Sequence, residues 1–284
     1  MRAIFFTILF FASFCNYSQI NTPRTSPASK LNQVVGLTEI EVQYSRPSMR
    51  GRTIYGGVVP YGKIWRTGAD NSTKISFSTD VVINEKLIKS GMYSIFSIPE
   101  KDSWKIMLYS DTDVWGVPKN WDEDKIIFQS DFKTIDLTGK SFFETFTIGF
   151  SNLTNNDVDM TFSWDDTTVF MKISVPTRKM VEQSIFDVIN ESPEPSDYYS
   201  AAVYYRQENI KLDVALEWIN KAIEMYDDPR FYHLRQQSLI MAANSKFSDA
   251  IKTAKKSLDL SVKADNQDYI KMNKESILEW SKKL

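Results

Sequence analysis

The chain of 284 residues is short of the side chains that most often carry chemistry. It has one cysteine, Cys15, and one histidine, His233. That excludes a zinc site of ordinary kind and leaves no Ser-His-Asp or Cys-His arrangement in the first half of the chain. No GxGxxG or GxxxxGK[ST] pattern opens a helix, which argues against the nucleotide-binding α/β folds. After the first fifteen residues no apolar run approaches the ~20 residues of a membrane helix, so no transmembrane segment is expected. Charge is nearly balanced, with a formal net of -2. A surface that tracks nucleic-acid phosphates is therefore not expected, and no metal or cofactor is implied.

What is present begins with an N-terminal export signal. Arg2 supplies a positive start, and Ile4 to Phe14 is an apolar run interrupted only by Thr7, Ala12 and Ser13. The run is too short to span a bilayer and fits a secretory signal over residues 1–18. Phe14 precedes Cys15 where a lipid-anchor signal wants Gly, Ala or Ser, so a lipid anchor at Cys15 is not expected. The pattern implies export to the periplasm or the outside of the cell, and the exported chain should then carry no thiol and no disulfide. N-terminal sequencing of the exported form checks this. It should begin near Gln19, and a lipidated start at Cys15 would reverse it.

From about Lys30 to Val175 the hydrophobic period is two. In Glu39-Ile40-Glu41-Val42-Gln43-Tyr44, apolar and polar residues alternate strictly. Lys74 to Ser78, Tyr93 to Ile98, Trp104 to Leu108, Ile126 to Phe128, Phe142 to Phe150, Val158 to Ser163 and Thr168 to Val175 read as further strands. Turn signals separate them, among them Asn84-Glu85, Ser90-Gly91, Thr138-Gly139 and Asp165-Asp166. Many short strands at this spacing predict an all-β antiparallel sandwich or barrel. Asp111, Asp113, Gly116 and Asp122 faintly mimic a calcium loop. Trp115 falls at a ligand position and strands flank the segment, so a turn with solvated acids is the expectation.

After Pro176 the period becomes helical. Met180, Val181, Ile185, Val188 and Ile189 predict a linking helix. Pro193 and Pro195 then break it, and Ser196 is the expected N-cap of the next helix. Val214-Ala215-Leu216 aligns with Asp249-Ala250-Ile251. The same offset pairs Ile219 with Ala254 and Ile223 with Leu258. A helix-pair unit of ~34 residues with small residues at the crossing resembles the tetratricopeptide repeat. The late aromatic of its first helix is replaced by Arg206 and Met241, and the Leu-Gly pair is missing. Two atypical repeats fall below the ~3 that are usually stable alone, so the helices are expected to draw support from the β domain. A last helix, Asn266 to Lys282, should turn Tyr269, Met272, Ile277 and Trp280 inward. His233 is expected to be partly exposed. Tyr198, Tyr199, Tyr204, Tyr205, Trp218, Phe231 and Tyr232 are expected mostly to pack between helices, with a peptide groove as the other reading.

The most unusual segment is Ser45 to Asp70. It carries Arg46, Arg50, Arg52, Lys63 and Arg66, with no acid before Asp70. Guanidinium forks bind carboxylate, sulfate or phosphate bidentately, and Tyr55, Tyr61 and Trp65 interleave with them as stacking faces. Arg46, Arg50, Arg52, Tyr55, Tyr61, Trp65, Arg66 and Asp70 are therefore the candidate ligand-binding residues. The other reading has the arginines bridge loop carbonyls and acids such as Asp70 and Glu100, pinning a long connection.

Tyr44-Ser45-Arg46-Pro47, Gly51-Arg52, Gly56-Gly57-Val58-Val59-Pro60-Tyr61-Gly62 and Trp65-Arg66-Thr67-Gly68-Ala69 together resemble a family of secreted proteins common in Bacteroidetes, the domain of unknown function 2911. The likeness continues through Gly91 to Pro99 and into Trp115-Gly116, with Met92 where the family more usually has Thr. The resemblance implies a β fold and export, often with a helical tail of this kind, and it implies no activity.

The reading is thus a signal peptide over 1–18, a flexible segment over 19–30, a β-sandwich or barrel over 31–176, a linking helix and Pro-containing linker over 177–195, and a tetratricopeptide-like all-α domain over 196–284. The expected function is non-catalytic binding or scaffolding. The β domain would hold an anionic or carbohydrate ligand and the helices a protein partner. The rival is a hydrolase acting on glycans or cell-envelope material through acids that no motif identifies.

Overall fold

The computed structural model describes residues 22–284. The segment expected to be a signal, with its expected cleavage site and Cys15, lies outside the described residues. The chain divides into two compact units, one ending at Thr177 and the other running from Arg178 to Leu284.

The strands of the first unit are β1 (Ala28–Val35), β2 (Thr38–Ser45), β3 (Thr73–Phe77), β4 (Val81–Ile83), β5 (Lys86–Ile88), β6 (Gly91–Pro99), β7 (Ser103–Tyr109), β8 (Ile126–Asp136), β9 (Phe143–Ser151), β10 (Asp157–Asp165) and β11 (Thr167–Ser174). They pair antiparallel in the order β1-β2-β3-β6-β7-β8-β11-β10-β9, with β4 against β11 and β5 against β4. The sheet curls until its ends nearly meet, so the architecture is a nearly closed barrel. β1 begins at Ala28, inside the segment expected to be flexible. Its eight residues pair along the whole of β2. The short β4–β5 hairpin was legible only as its turn, where Asn84 and Glu85 both take positive φ.

Alternation places one face of each strand inside. Ile40, Val42 and Tyr44 of β2, Trp104, Ile106 and Leu108 of β7, and Met160, Phe162 and Trp164 of β10 are all buried in one cluster. The interior is therefore packed with side chains and forms no pore. On the opposite face of β6 and β7, Phe96, Met107 and Tyr109 form a smaller cluster. Trp121 closes it, stacking on Tyr109 at 4.6 Å and meeting the Phe96 ring edge-on at 5.1 Å. Residues 110–125 are thus a cover for that face. Within it Asp111 pairs with Lys125 at 3.4 Å and Asp122 caps a short 3-10 turn. Among the described residues no group of three acids or histidines is placed to hold a metal. Gly36 makes the β1–β2 turn at φ 55°, and a Cβ there would run into the Asn155 carbonyl and the Thr177 hydroxyl.

The helices are α1 (Thr177–Ile189), α2 (Pro195–Gln207), α3 (Leu212–Met225), α4 (Phe231–Ala243), α5 (Phe247–Lys263) and α6 (Gln267–Ser281). From α2 onward each packs on the next, and α4 also touches α2 and α6. Such a ladder of alternate helices is what repeated helix pairs produce. Ala202, Ala215 and Ile219 are fully buried in one cluster, and Ala250, Ala254 and Trp280 form the next. No helix among the described residues is long and apolar enough to cross a membrane.

Three local expectations are corrected. The N-cap of α2 is Glu194, with Pro195 opening the helix, because the Asp197 carboxylate accepts the Glu194 N–H at 2.8 Å. Met272 points outward and Asn273 is the buried residue of that turn, drawn in by a 2.9 Å bond from its amide to Ser257 Oγ. His233 is buried, not partly exposed. Its Nδ1 accepts the Arg230 N–H at 3.1 Å and its ring stacks on Tyr226 at 4.2 Å.

Burial, with the Arg230 charge second, pushes the His233 imidazole below its ordinary value. The unfolded chain then takes up the proton more readily than the folded one. The stability it contributes is complete above about pH 6.5 and is lost as pH falls from there through the lower folded value. His233 is the only histidine, so denaturation midpoints measured from pH 7.5 to 5.5 should fall, and His233→Gln should flatten that slope.

Candidate functional site

The long connection from Arg46 to Ser72, between β2 and β3, is held by its own apolar residues. Met49, Ile54 and Val59 are buried in the barrel cluster. Gly57 lies so close to the Thr53 carbonyl that a Cβ would clash with it. Trp65 pairs with Ser97 of β6 through two backbone bonds of 2.7 and 2.9 Å. Its ring reaches Phe146 at 5.0 Å, Trp104 at 5.7 Å and Trp164 at 5.8 Å, while its indole N–H donates to Gly68 O. The connection is in this sense a plug driven into the barrel by one tryptophan.

The candidate residues separate into three groups. The arginines spend their donors mostly on carbonyls. Arg46 gives Nε to Phe146 O at 3.2 Å and Nη2 to Thr147 Oγ1 at 2.7 Å. Arg52 reaches Met49 O and Ser48 O, and Arg50 reaches Thr25 O at 3.0 Å. Arg66 donates to the backbone carbonyl of Asp70 at 2.8 Å, a residue with φ 59°, and lies against Gly116. Trp65 is partly buried and packs against the core. Tyr55 and Tyr61 stand by the acids of the β10–β11 turn, where burial first and Asp165 and Asp166 next raise both phenols above their ordinary values.

Two hollows flank this connection. One, of about 480 Å³, is lined by Tyr61 with Lys101, Asp102, Lys133, Asp136 and Asp166, so its charges are mixed. Behind it Asp165 is raised above the ordinary carboxylate range by burial, then by Asp166. A raised carboxyl beside a second acid is a feature that acid–base chemistry can use. Asp165 and Asp166 are adjacent on a single turn, however, and are not set across a cleft from each other.

The other hollow, of about 350 Å³, is basic. Its wall includes Arg24, Lys30 and Lys74 with Gln43, Asn71 and Ser72, and it contains no carboxylate. The register explains the row: Lys30 is opposite Gln43, and Gln43 opposite Lys74, all on the outer face of β1, β2 and β3. Lys30 pairs with Glu41 at 2.7 Å, whereas Arg24 and Lys74 form no ion pair among the described residues. Sequence reading missed these cations. Lys74 was visible as an outward position of an alternating strand, but nothing in the chain order brings it to Lys30 and Arg24.

The arginine contacts fix an expected order of stability losses. Arg46→Ala strands the Phe146 carbonyl and the Thr147 hydroxyl at a half-buried site and should cost about 1–3 kcal/mol. Exposed Arg50→Ala should stay within about 0.5 kcal/mol of the parent. Urea denaturation of the two variants checks the order.

No curated protein and no solved structure matches the chain. A family model described as protein of unknown function (DUF2911) matches residues 26–173, the whole barrel but for its last strand position. That is more than half of the chain, and the chain belongs to the DUF2911 family.

Proposed function

We propose that the chain is an exported protein of a Bacteroidetes-type bacterium that binds without catalysing. In this reading the barrel takes an anionic ligand, an acidic or sulfated sugar, in the hollow walled by Arg24, Lys30 and Lys74, and the tetratricopeptide-like helices hold a protein partner. The observation that carries the reading is the wall itself: Arg24 and Lys74 form no ion pair among the described residues, Lys30 beside them is paired with Glu41, no carboxylate lines the hollow, and Asn71 and Ser72 stand at its edge. Such a wall attracts anions through the summed field and recognises them through the interleaved donors. The arginine-rich connection contributes indirectly, because it places Asn71 and Ser72 at the edge of the hollow. Arg66, half-buried and holding Asp70 O, is the loop arginine whose loss would most directly shift that edge. Export rests on the Arg2-to-Ser18 pattern alone.

The hydrolase reading has one supporting feature, the raised Asp165 carboxyl beside Asp166, and the shared turn that holds both weakens it.

The test is calorimetric titration with a sulfated disaccharide at low and at physiological salt. Binding should be saturable and weaken with salt, as expected of screened charges. Arg24→Glu and Lys74→Glu should each reduce affinity at least tenfold, about 1.4 kcal/mol, while leaving the melting temperature nearly unchanged. Affinity indifferent to both variants would remove the hollow from consideration.

A further inference from the structure

The cover over residues 110–125 holds two tryptophans with different fates. Trp121 is packed against the Phe96 and Tyr109 rings. Trp115 is 71% exposed, and among the described residues it is the one tryptophan left on the surface. Its backbone is nevertheless firmly held. Trp115 and Asn71 face each other as an isolated antiparallel pair. Ser72 donates to Val114 O at 3.0 Å, and Gly116 donates to Asp70 O at 3.2 Å. Arg66 donates to the same Asp70 carbonyl at 2.8 Å and lies against Gly116, whose φ of 79° calls for glycine. The loop arginine thus braces the backbone on which the exposed indole is mounted.

Both backbone bonds join the neighbours of the pair, so Asn71 and Trp115 are opposed without bonding each other, the closer of the two antiparallel arrangements. Side chains of such a pair share one face of the ribbon, with Cβ atoms about 4.5–5.5 Å apart. Asn71 belongs to the wall of the basic hollow. The indole therefore stands at the rim of that hollow. Lys74 lies three residues along from Asn71, about 10 Å at the rise of a strand. An aromatic face at this distance from a cation suits a ligand with a broad, weakly polar ring at one end and an anion at the other. A sugar that carries a sulfate or carboxylate has this form. The C–H groups of one ring face lie on the indole, and the charged substituent reaches the cations. A bare inorganic anion leaves the indole unused. An anionic lipid surface is opposed by Asp113, exposed two residues before Trp115.

We propose that Trp115 is the platform for one sugar ring of the ligand, which lies on the indole while its sulfate or carboxylate occupies the hollow of Arg24, Lys30 and Lys74. This deepens the binding role given to that hollow above and rests on it. It adds the residue that selects a sugar over a bare anion.

The experiment is calorimetry with the sulfated disaccharide and with inorganic sulfate, on the parent protein, Trp115→Ala and Trp115→Phe. The parent should bind the disaccharide at least tenfold more tightly than sulfate. Trp115→Ala should erase that margin and leave sulfate affinity unchanged. Its melting temperature should hold, since the ring is largely in solvent. Trp115→Phe keeps a smaller ring face and should retain part of the margin. The other tryptophans are buried or half-buried, so acrylamide quenching of fluorescence gives a second measurement on the folded parent. Saturating disaccharide should reduce quenching there and change it little in Trp115→Phe. Disaccharide affinity unmoved by Trp115→Ala, an equal fall in sulfate affinity, a parent that binds sulfate as tightly as the disaccharide, or quenching indifferent to the disaccharide overturns the platform and leaves the hollow standing. Absence of binding by either ligand, or affinity indifferent to Arg24→Glu and Lys74→Glu, overturns the hollow and the platform together. Binding to phosphatidylglycerol vesicles that Trp115→Ala abolishes, with no sugar bound, overturns the proposal in favour of a lipid surface.

Discussion

The barrel depends on how the open edge of β9 is satisfied. A buried strand edge with free N–H and C=O groups is costly, and a sheet that curls without closing has to find partners for both its ends. Here the chain leaving β2 supplies them. Phe146 donates to Pro47 O at 2.9 Å, Met49 donates to Glu144 O at 2.8 Å, and Ser48 and Thr145 join hydroxyl to hydroxyl at 2.8 Å. The buried Tyr44 hydroxyl accepts the Ile148 N–H at 2.9 Å and donates to the Ile148 carbonyl at 3.3 Å. Arg46 then covers the Phe146 carbonyl. Tyr44, Arg46 and Pro47 of one tetrapeptide thus hold the closing seam.

Once the seam is closed, the long connection has only one place to go. Its tryptophan enters the barrel among Trp104, Phe146 and Trp164, Arg52 and Arg66 face the connection's own carbonyls, and Arg46 and Arg50 reach carbonyls of β9 and of the chain before β1. This is why a segment with five cations and no acid before Asp70 is stable. Guanidinium groups that donate to neutral carbonyls need no counter-charge as long as one side stays in water. Lys30 and Lys74, by contrast, lie on the outer face of β1 and β3, and line a hollow with Arg24.

Arginine plays the opposite part in the helical unit. Arg206 and Arg235 lie in a ladder of helices, where Nε of the first and Nη1 of the second are buried with no hydrogen-bond partner among the described residues. The same residue type is a strut in one unit and an unmet demand in the other. The difference lies in what the backbone offers. A loop exposes carbonyls, while a helix uses its own and leaves a side chain to find other partners.

The alternation of Ile40, Val42 and Tyr44, the helical spacing around Ala215 and Ala250, and the turn at Asn84-Glu85 were sufficient to place strands, helices and their inner faces, because those periods are set by local backbone geometry. The arginine connection was recognisable as special, but its two readings could not be separated, since a guanidinium that binds a carbonyl and one that awaits an anion have the same letter. Strands β1, β4 and β5 were missed or shortened because two are three residues long and the third alternates only weakly. The sequence by itself therefore determined the fold class and the division into a β part and an α part. Only the tertiary structure decided that the sheet closes on Tyr44 and Arg46, that Arg24, Lys30 and Lys74 meet across three strands, and that Arg235 is buried unpaired. Each of these is a contact between residues far apart in the chain or a matter of solvent access, and both are set by packing and register, not by local pattern.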